Sequence, residues 1–108
     1  MFYQYVSNER ESDFYFNIAP ELFVCRVYEF NGLMYMDVSV DDERLVAGKR
    51  VVQNEWILPE YLGRRLGNFR FETSEADRDS YPNYEGFNEK FKLAVYSPVE
   101  FSDAVGNG

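Results

Sequence analysis

The dipeptide Asn31-Gly32 constrains the fold more than any other feature of this sequence. Both residues tolerate positive φ, and they lie between two runs of β-prone residues, a pattern typical of a two-residue hairpin turn. We therefore expect strands near 22–30 and 33–40. Because side chains alternate between the two faces of a strand, one face of this hairpin is expected to be buried. Its residues are Phe23, Cys25, Val27, Met34, Met36, Val38 and Val40.

The opposite face of the hairpin is polar in part, with Arg26, Glu29, Asp37 and Ser39 among its residues. Large apolar side chains interrupt these polar positions, and they are more numerous than a solvated surface normally carries. We therefore expect part of this face to meet a partner. The apolar residues concerned are Val24, Tyr28, Phe30 and Tyr35.

Shorter alternating runs predict further strands at 2–6, 14–18, 68–72 and 91–95, with a polar loop at 7–12. About six short strands in a chain of 108 residues indicate an all-β fold, either a small antiparallel barrel or a sandwich. One short helix or turn is predicted near 59–66, because Pro59 suits a first helical turn and Gly67 suits a helix end.

The length is typical of one domain, so we predict a single β domain spanning residues 1–108. Residues 97–108 are expected to form a flexible C-terminal tail. The segment 73–86 is acidic and is predicted to be a loop, whose aromatic residues are Tyr81 and Tyr84.

Composition disfavours several classes of function. The formal net charge is −8, which repels phosphate backbones and anionic lipid, so neither nucleic acid nor a membrane is an expected partner. No apolar run approaches the roughly 20 residues of a membrane-spanning helix. The sequence opens without a secretory signal, and Cys25 is the only cysteine, so assembly in the cytosol without disulfides is expected.

Catalytic chemistry is also disfavoured. The chain has no histidine, which is the commonest general base and transition-metal ligand. Cys25 occupies an apolar strand position and is predicted to be a core residue. The acidic run 41–43 is predicted to be a polar turn, and Asp77, Asp79 and Glu85 a solvated or partner-facing loop. We therefore predict a protein that is not an enzyme and needs no metal or other cofactor.

Charge is unevenly distributed along the chain. Residues 44–70 carry six cationic and two anionic side chains, a net +4, whereas the remaining residues carry −12. Such asymmetry suits docking against complementary surfaces, including contacts between copies of the chain. Separate solvated loops would give the same distribution, and the sequence leaves both interpretations open.

The same segment contains the residue types that dominate interface hot spots. The candidate interface residues are Trp56, Tyr61, Arg64 and Arg65, with Tyr81 and Tyr84 from the acidic loop. For Trp56 the alternative, that it caps one end of a barrel, is favoured, whereas a contact is favoured for the two arginines.

Several short motifs between Phe14 and Ser97 resemble those of the baseplate plug proteins of contractile-tailed bacteriophages. The matching features are an aromatic first strand and a hairpin with Asn at its turn. The remaining motifs are Tyr35-Met36-Asp37-Val38, Leu45-Val46-Ala47-Gly48 followed by Val51-Val52, Gly67-Asn68-Phe69, and Tyr81-Pro82-Asn83-Tyr84 leading through Gly86-Phe87 to Lys92-Leu93-Ala94-Val95-Tyr96.

The resemblance implies a virion structural protein near the central hub of the tail baseplate, assembled in the host cytoplasm. It implies several copies per particle and contacts with hub, tube or wedge proteins, and it supplies no catalytic residues. Two alternatives remain: a small acidic inhibitor of a host protein, and a ligand-binding β-barrel. The cationic segment 44–70 argues against the first, and no convergent set of polar residues supports the second.

Overall fold

A computed structural model describes residues 1–106, which form seven strands and two α-helices. The strands are all antiparallel and make two sheets, one of four strands in the order β2-β3-β4-β5 and one of three in the order β1-β7-β6. The sheets do not close on each other, so the predicted sandwich is confirmed and the barrel alternative is wrong. The elements are β1 (Phe2–Gln4), β2 (Glu11–Ile18), β3 (Glu21–Phe30), β4 (Leu33–Val40), β5 (Glu43–Arg50), α1 (Glu60–Leu66), β6 (Asn68–Glu72), β7 (Lys92–Tyr96) and α2 (Pro98–Val105).

The four-stranded sheet is a meander whose three hairpins turn through two residues each. The predicted turn is confirmed, with φ of 53° at Asn31 and 81° at Gly32. Asp41 and Asp42 make the equivalent turn between β4 and β5, also with positive φ, so the acidic run is a turn as expected. All seven residues predicted for the buried face of the β3–β4 hairpin are buried, but Glu29, predicted on the opposite face, lies opposite the buried Met34.

Strand β5 is absent from the sequence-based expectation. Its sequence has charges at both ends, Ala47-Gly48 in the middle and no clean alternation, so its propensity for strand is weak. Residues 43–50 form a strand because they pair with β4, and the register of this pairing is irregular around Val38. Gly48 has a φ of 61°, and its N–H donates to Asp37 Oδ1 over 2.6 Å, which stabilises the bulge.

The three-stranded sheet brings together distant parts of the chain. Its central strand β7 pairs with β1, where Phe2 lies opposite Val95, and with β6, where Phe71 lies opposite Leu93. The segment 54–58 covers the outer edge of β6, because the N–H of Ile57 donates to the carbonyl of Phe69 over 3.0 Å.

The buried side chain of Asn68 fixes this segment. Its Oδ1 accepts from the N–H groups of Leu58 and Phe69, and its Nδ2 donates to the Leu58 carbonyl, at 2.8 to 2.9 Å. All the hydrogen-bonding atoms of this amide are therefore engaged except for one N–H, which lets a polar residue lie in the core.

Phenylalanine side chains fill the space between the sheets. Phe16 stacks on Phe23 at 5.4 Å, and Phe69 of the opposite sheet meets Phe16 edge-on at 5.0 Å. Cys25 is buried nearby, as predicted, and desolvation raises the pKa of its thiol to about 12. A filled interior and an unclosed pair of sheets do not support a ligand-binding barrel.

Both helices lie beside the three-stranded sheet. Helix α1 confirms the predicted helix at 59–66, with Pro59 before its first residue and Gly67, at a φ of 92°, after its last. The prediction of a flexible tail from 97 is wrong for residues 98–105, which form α2, and positions 107–108 lie outside the described residues. Neither helix is long and apolar enough to cross a membrane.

Reciprocal capping and a buried aromatic ring explain α2. The Ser97 hydroxyl accepts from the Glu100 N–H over 3.2 Å, and the Glu100 carboxylate accepts from the Ser97 N–H over 2.9 Å. Phe101 is buried against α1, where an added Cβ on Gly63 would come within 2.5 Å of its ring. Only glycine at position 63 allows this approach.

Candidate interaction surfaces

The chain itself covers the outer face of the three-stranded sheet over β6 and the end of β7, whereas Tyr3 of β1 and Lys92 are exposed. Trp56 packs edge-on against Tyr96 at 5.0 Å and against Phe101 at 4.7 Å. The Arg70 guanidinium lies 4.1 Å from the centre of a Trp56 ring, within range of a cation–π interaction. The half-buried Trp56 thus has most of its contacts inside its own chain.

Polar groups at the margin of this cluster are paired with each other. Arg70 Nε donates to Glu72 Oε2 over 2.9 Å, and the Tyr96 hydroxyl donates to the same oxygen over 2.5 Å. Burial, and then this hydrogen bond to Glu72, raise the pKa of Tyr96. The cluster satisfies its own charges, so this part of the surface makes little demand on a partner.

The outer face of the four-stranded sheet, named here the open face, has no such cover. Tyr15 is 70% exposed and lies opposite Val24, which is 51% exposed, and Leu22 is exposed beside them. These side chains form an apolar group near one end of the sheet.

A second aromatic group lies at the other end of the open face. Tyr28 stacks with Tyr35 at 6.0 Å, and Phe30, which is 62% exposed, meets Tyr35 edge-on at 6.4 Å. Between the two groups runs a charged row in which Asp13 lies opposite Arg26 and Arg26 opposite Asp37. Aromatic residues and arginine are the types enriched at protein–protein interfaces, so the two aromatic groups and Arg26 suit a protein-binding surface.

Helix α1 presents three of the predicted interface residues. Tyr61 is 73% exposed, because Leu62 and Gly63 take the inward positions. Arg64 is partly held by its own chain, since it lies 3.5 Å from Glu60 and donates to the Gly106 carbonyl over 2.9 Å. Arg65 is exposed and no ion pair holds it within residues 1–106.

Acidic side chains lie beside Arg65 where α1 meets the four-stranded sheet. A hydrogen bond with the Asp41 carboxyl group raises the pKa of Glu21, with burial adding to the effect. Arg65 acts in the opposite direction and lowers the pKa of Glu21. The cation therefore offsets part of the repulsion between two neighbouring carboxylates.

Tyr81 and Tyr84 lie at the opposite end of the four-stranded sheet. Tyr81 is exposed beside Arg50, whose guanidinium is 4.4 Å from its ring centre. The hydroxyl of the half-buried Tyr84 accepts from Arg10 over 3.3 Å. Arg65 and Tyr84 are placed near opposite ends of β3, about 25 Å apart at the usual rise of a strand. The six predicted residues therefore do not form one patch.

The sequence-based interface omits Tyr15 and Leu22 of the open face. The signal was present, because alternation places both on the same side as Val24 once the turn at Ala19-Pro20 sets the register. The acidic loop is tied to the body of the fold by Asn8, which donates to the carbonyls of Tyr84 and Phe87. No group of three or more His, Cys, Asp or Glu side chains suited to a metal ion occurs within positions 1–106.

A small sandwich with one sheet covered by its own chain and an aromatic open face on the other has the features of an assembly protein. A family model described as "Cyanophage baseplate Pam3 plug gp18" matches residues 1–98. The chain belongs to this family, which makes it a structural protein of the phage baseplate plug type and places it with the tail of the virion. No curated protein matches the sequence.

Proposed function

We propose that this protein docks at the central hub or tube region of a contractile phage tail baseplate and acts by protein–protein assembly, without catalysis. The observation that carries the proposal is the open face, with exposed Tyr15, Val24 and Phe30 on a rigid sheet. Exposed apolar patches of this kind mark interaction sites in soluble proteins.

The rigidity of the open face favours tight docking. Its aromatic side chains project from paired strands, so the backbone that carries them loses little conformational freedom when a partner covers them. The charged row of Asp13, Arg26 and Asp37 would fix the orientation of that partner through complementary charges. A hub or tube protein with a matching apolar surface fits this description.

A second contact is proposed at the α1 end, where Tyr61 and Arg65 are exposed and Arg64 lies beside them. An acidic surface of a neighbouring tail protein would pair with these arginines. Trp56, Tyr81 and Tyr84 have contacts within the chain, so we assign them the edges of interfaces and not their centres. We further propose that several copies are present in each particle. They would assemble with hub, tube or wedge proteins in the host cytoplasm.

Charge substitution on the open face tests the main contact. Val24→Asp replaces an exposed apolar side chain by a carboxylate. Val99→Asp makes the same change at a 71% exposed position of α2. Both variants should remain folded, because neither side chain is buried. In phage lacking the wild-type gene, tails from cells supplying Val24→Asp should lack the protein and infectivity should fall. Val99→Asp should restore both, and full incorporation of Val24→Asp would contradict docking through this face.

Charge reversal of Arg64 and Arg65 tests the second contact. The double change to Glu should shift the melting temperature of the isolated protein by only a few degrees and abolish incorporation into tails. Because Arg64 also donates to Gly106, Arg65→Glu alone separates docking from folding. Normal infectivity with Arg65→Glu and with the double variant would remove α1 from the interface.

A further inference from the structure

The four-stranded sheet ends in two strands, β2 and β5, that each pair on one side only. Strand β2 pairs with β3 and β5 pairs with β4, and no other strand within residues 1–106 lies beyond either. In the three-stranded sheet the segment 54–58 covers the edge of β6, and the other edge, β1, is only three residues long. Unpaired edges offer rows of free N–H and C=O groups to another strand.

The two free edges carry opposite charge. Strand β2 contributes Glu11 and Asp13 and no cation, whereas β5 contributes Arg44, Lys49 and Arg50 against one acidic residue, Glu43. Charged residues on edge strands commonly prevent unwanted pairing. Here the sign differs from one edge to the other, and Glu11 also forms an ion pair with Arg26 of its own sheet.

Most of these charges share one side of the sheet, the exception being Lys49, which lies opposite the buried Met36 and pairs with Glu55. In the register, Glu11 lies opposite Tyr28 and Arg50 lies opposite Tyr35, and these two tyrosines stack on the open face. Arg44 lies opposite Ser39 on the same side. Acidic and basic side chains of two adjoining edges would therefore meet on one face and not across the sheet.

Strand direction permits this meeting. In an antiparallel meander of four strands, the first and last strands run in opposite directions. A second copy placed beside the first in the same orientation would set its β2 antiparallel to the first copy's β5. Antiparallel pairing of β2 with β2 would set Glu11 opposite Ile18, and that of β5 with β5 would set Arg44 opposite Lys49, so neither brings an acidic edge against a basic one.

We propose that copies of this chain associate through β2 of one and β5 of the next, which extends the four-stranded sheet from copy to copy. The occupant of each edge is thus a second copy of the same chain, selected by opposite charge. Such a contact is heterologous, so it builds rings where the rotation closes and open chains where it does not. The contact concerns copies of this chain alone and is independent of docking at a hub.

Hydrogen exchange of the purified wild-type protein tests the contact without a mutation. We expect amides in 11–18 and 43–50 to gain protection as protein concentration rises from low micromolar to near-millimolar, while those in 92–96 do not change. Sedimentation velocity on the same samples should show association that weakens with added salt. Protection at only one of the two edges would indicate symmetric pairing and would overturn the proposal.

A charge exchange between two variants tests the pairing of unlike edges. One variant carries Glu11→Lys and Asp13→Lys, and the other carries Arg44→Glu and Arg50→Glu. Each alone should be monomeric, because like charges would meet at every contact, whereas an equimolar mixture should associate as the wild type does. Lys90→Glu, at an exposed position of the turn before β7, is the matched charge-reversal control and should associate normally.

Melting curves ensure that each variant is folded, and a variant that is not can be replaced by its single substitutions. A wild-type protein that remains monomeric at near-millimolar concentration with no change in exchange would refute the proposal. Association of either charge-reversed variant alone, at wild-type strength, would refute it as well. Loss of tail incorporation by Val24→Asp, in contrast, reports on hub docking and leaves the edge contact unaffected.

Discussion

The outer faces of the two sheets differ in whether other residues of the chain cover them. On the three-stranded sheet, Trp56 and Phe101 cover the strands and Arg70 is paired with Glu72. On the four-stranded sheet, Tyr15, Val24 and Phe30 remain in solvent. Both faces are rich in aromatic residues, so composition does not distinguish them. What differs is whether the chain itself supplies the second layer.

The difference separates side chains that stabilise the fold from those available to a partner. Aromatic residues that the chain covers contribute to the free energy of unfolding, because their surface leaves the water on folding. Aromatic residues on the open face contribute little until another molecule covers them. Equivalent substitutions on covered and open faces should therefore have unequal effects on the free energy of unfolding.

The largest expected effect comes from the same substitution on the two faces of the four-stranded sheet. Val38→Asp would place a carboxylate where the side chain is wholly buried, and should cost several kcal/mol and unfold the protein. Val24→Asp, one strand away on the open face, should retain a cooperative melting transition near that of the wild type. Circular dichroism during heating measures both, and similar losses at the two sites would show that the open face is not free.

The next effect compares two phenylalanines. Phe101→Ala removes a fully buried ring from beneath Gly63 and Trp56 and should cost about 3–5 kcal/mol of unfolding free energy. Phe30→Ala removes an exposed ring and should cost less than about 1 kcal/mol. Urea titration gives both values. An equal cost would contradict the division between covered and open aromatic residues.

A smaller effect concerns thiol reactivity on the inner face. The pKa of Cys25 is raised to about 12 by desolvation, so at neutral pH the folded protein holds almost no thiolate. A thiol reagent should label Cys25 at least about a hundredfold more slowly in the native state than in urea. A Val24→Cys variant carrying Cys25→Ser should react at nearly the rate of the unfolded chain, and slow labelling of it would place Val24 inside.

The smallest effect lies where the four-stranded sheet meets α1. The pKa of Glu21 is raised in the folded state by Asp41, so deprotonation above this pKa disfavours folding. Glu21→Gln should therefore raise the melting temperature slightly at neutral pH, and the gain should disappear as the pH falls below the unfolded-state value. A lower melting temperature for Glu21→Gln at neutral pH would show that Arg65 dominates this site.

Local sequence signals predicted much of the four-stranded sheet. The Asn31-Gly32 turn and the alternation beside it determine both the pairing and the buried face of β3 and β4, because register follows from turn length. The absence of barrel closure could not be predicted. It depends on the pairing of β1 with β7. These strands are distant in sequence, and neither local sequence indicates which strand is its partner.

Two missed elements have different physical causes. Strand β5 is ordered by its neighbour and a bulge at Gly48, so its own sequence carries little signal. Helix α2 did carry a signal, since Ser97, Pro98 and Glu100 form a capping sequence that is visible without a structure. The glycines after it favoured a tail instead.

The interface residues were predicted by type and not by position. Arg65 and Tyr61 are exposed as expected, but Trp56 is a residue type that serves buried clusters and interfaces equally well. Tyr15 was overlooked because the pairing of its strand β2 with β3 was not predicted, and Leu22 because it is the first residue of the predicted strand 22–30.

Because Phe2 pairs with Val95, the two sheets are expected to form at different times during folding. The four-stranded sheet, residues 11–50, consists of consecutive hairpins whose contacts are local, so it can form early and while the rest of the chain is still being synthesised. The three-stranded sheet must wait for residues 92–96. During that interval the apolar inner face of the first sheet has no cover, and the rate at which β7 arrives sets how long a newly made chain is open to aggregation.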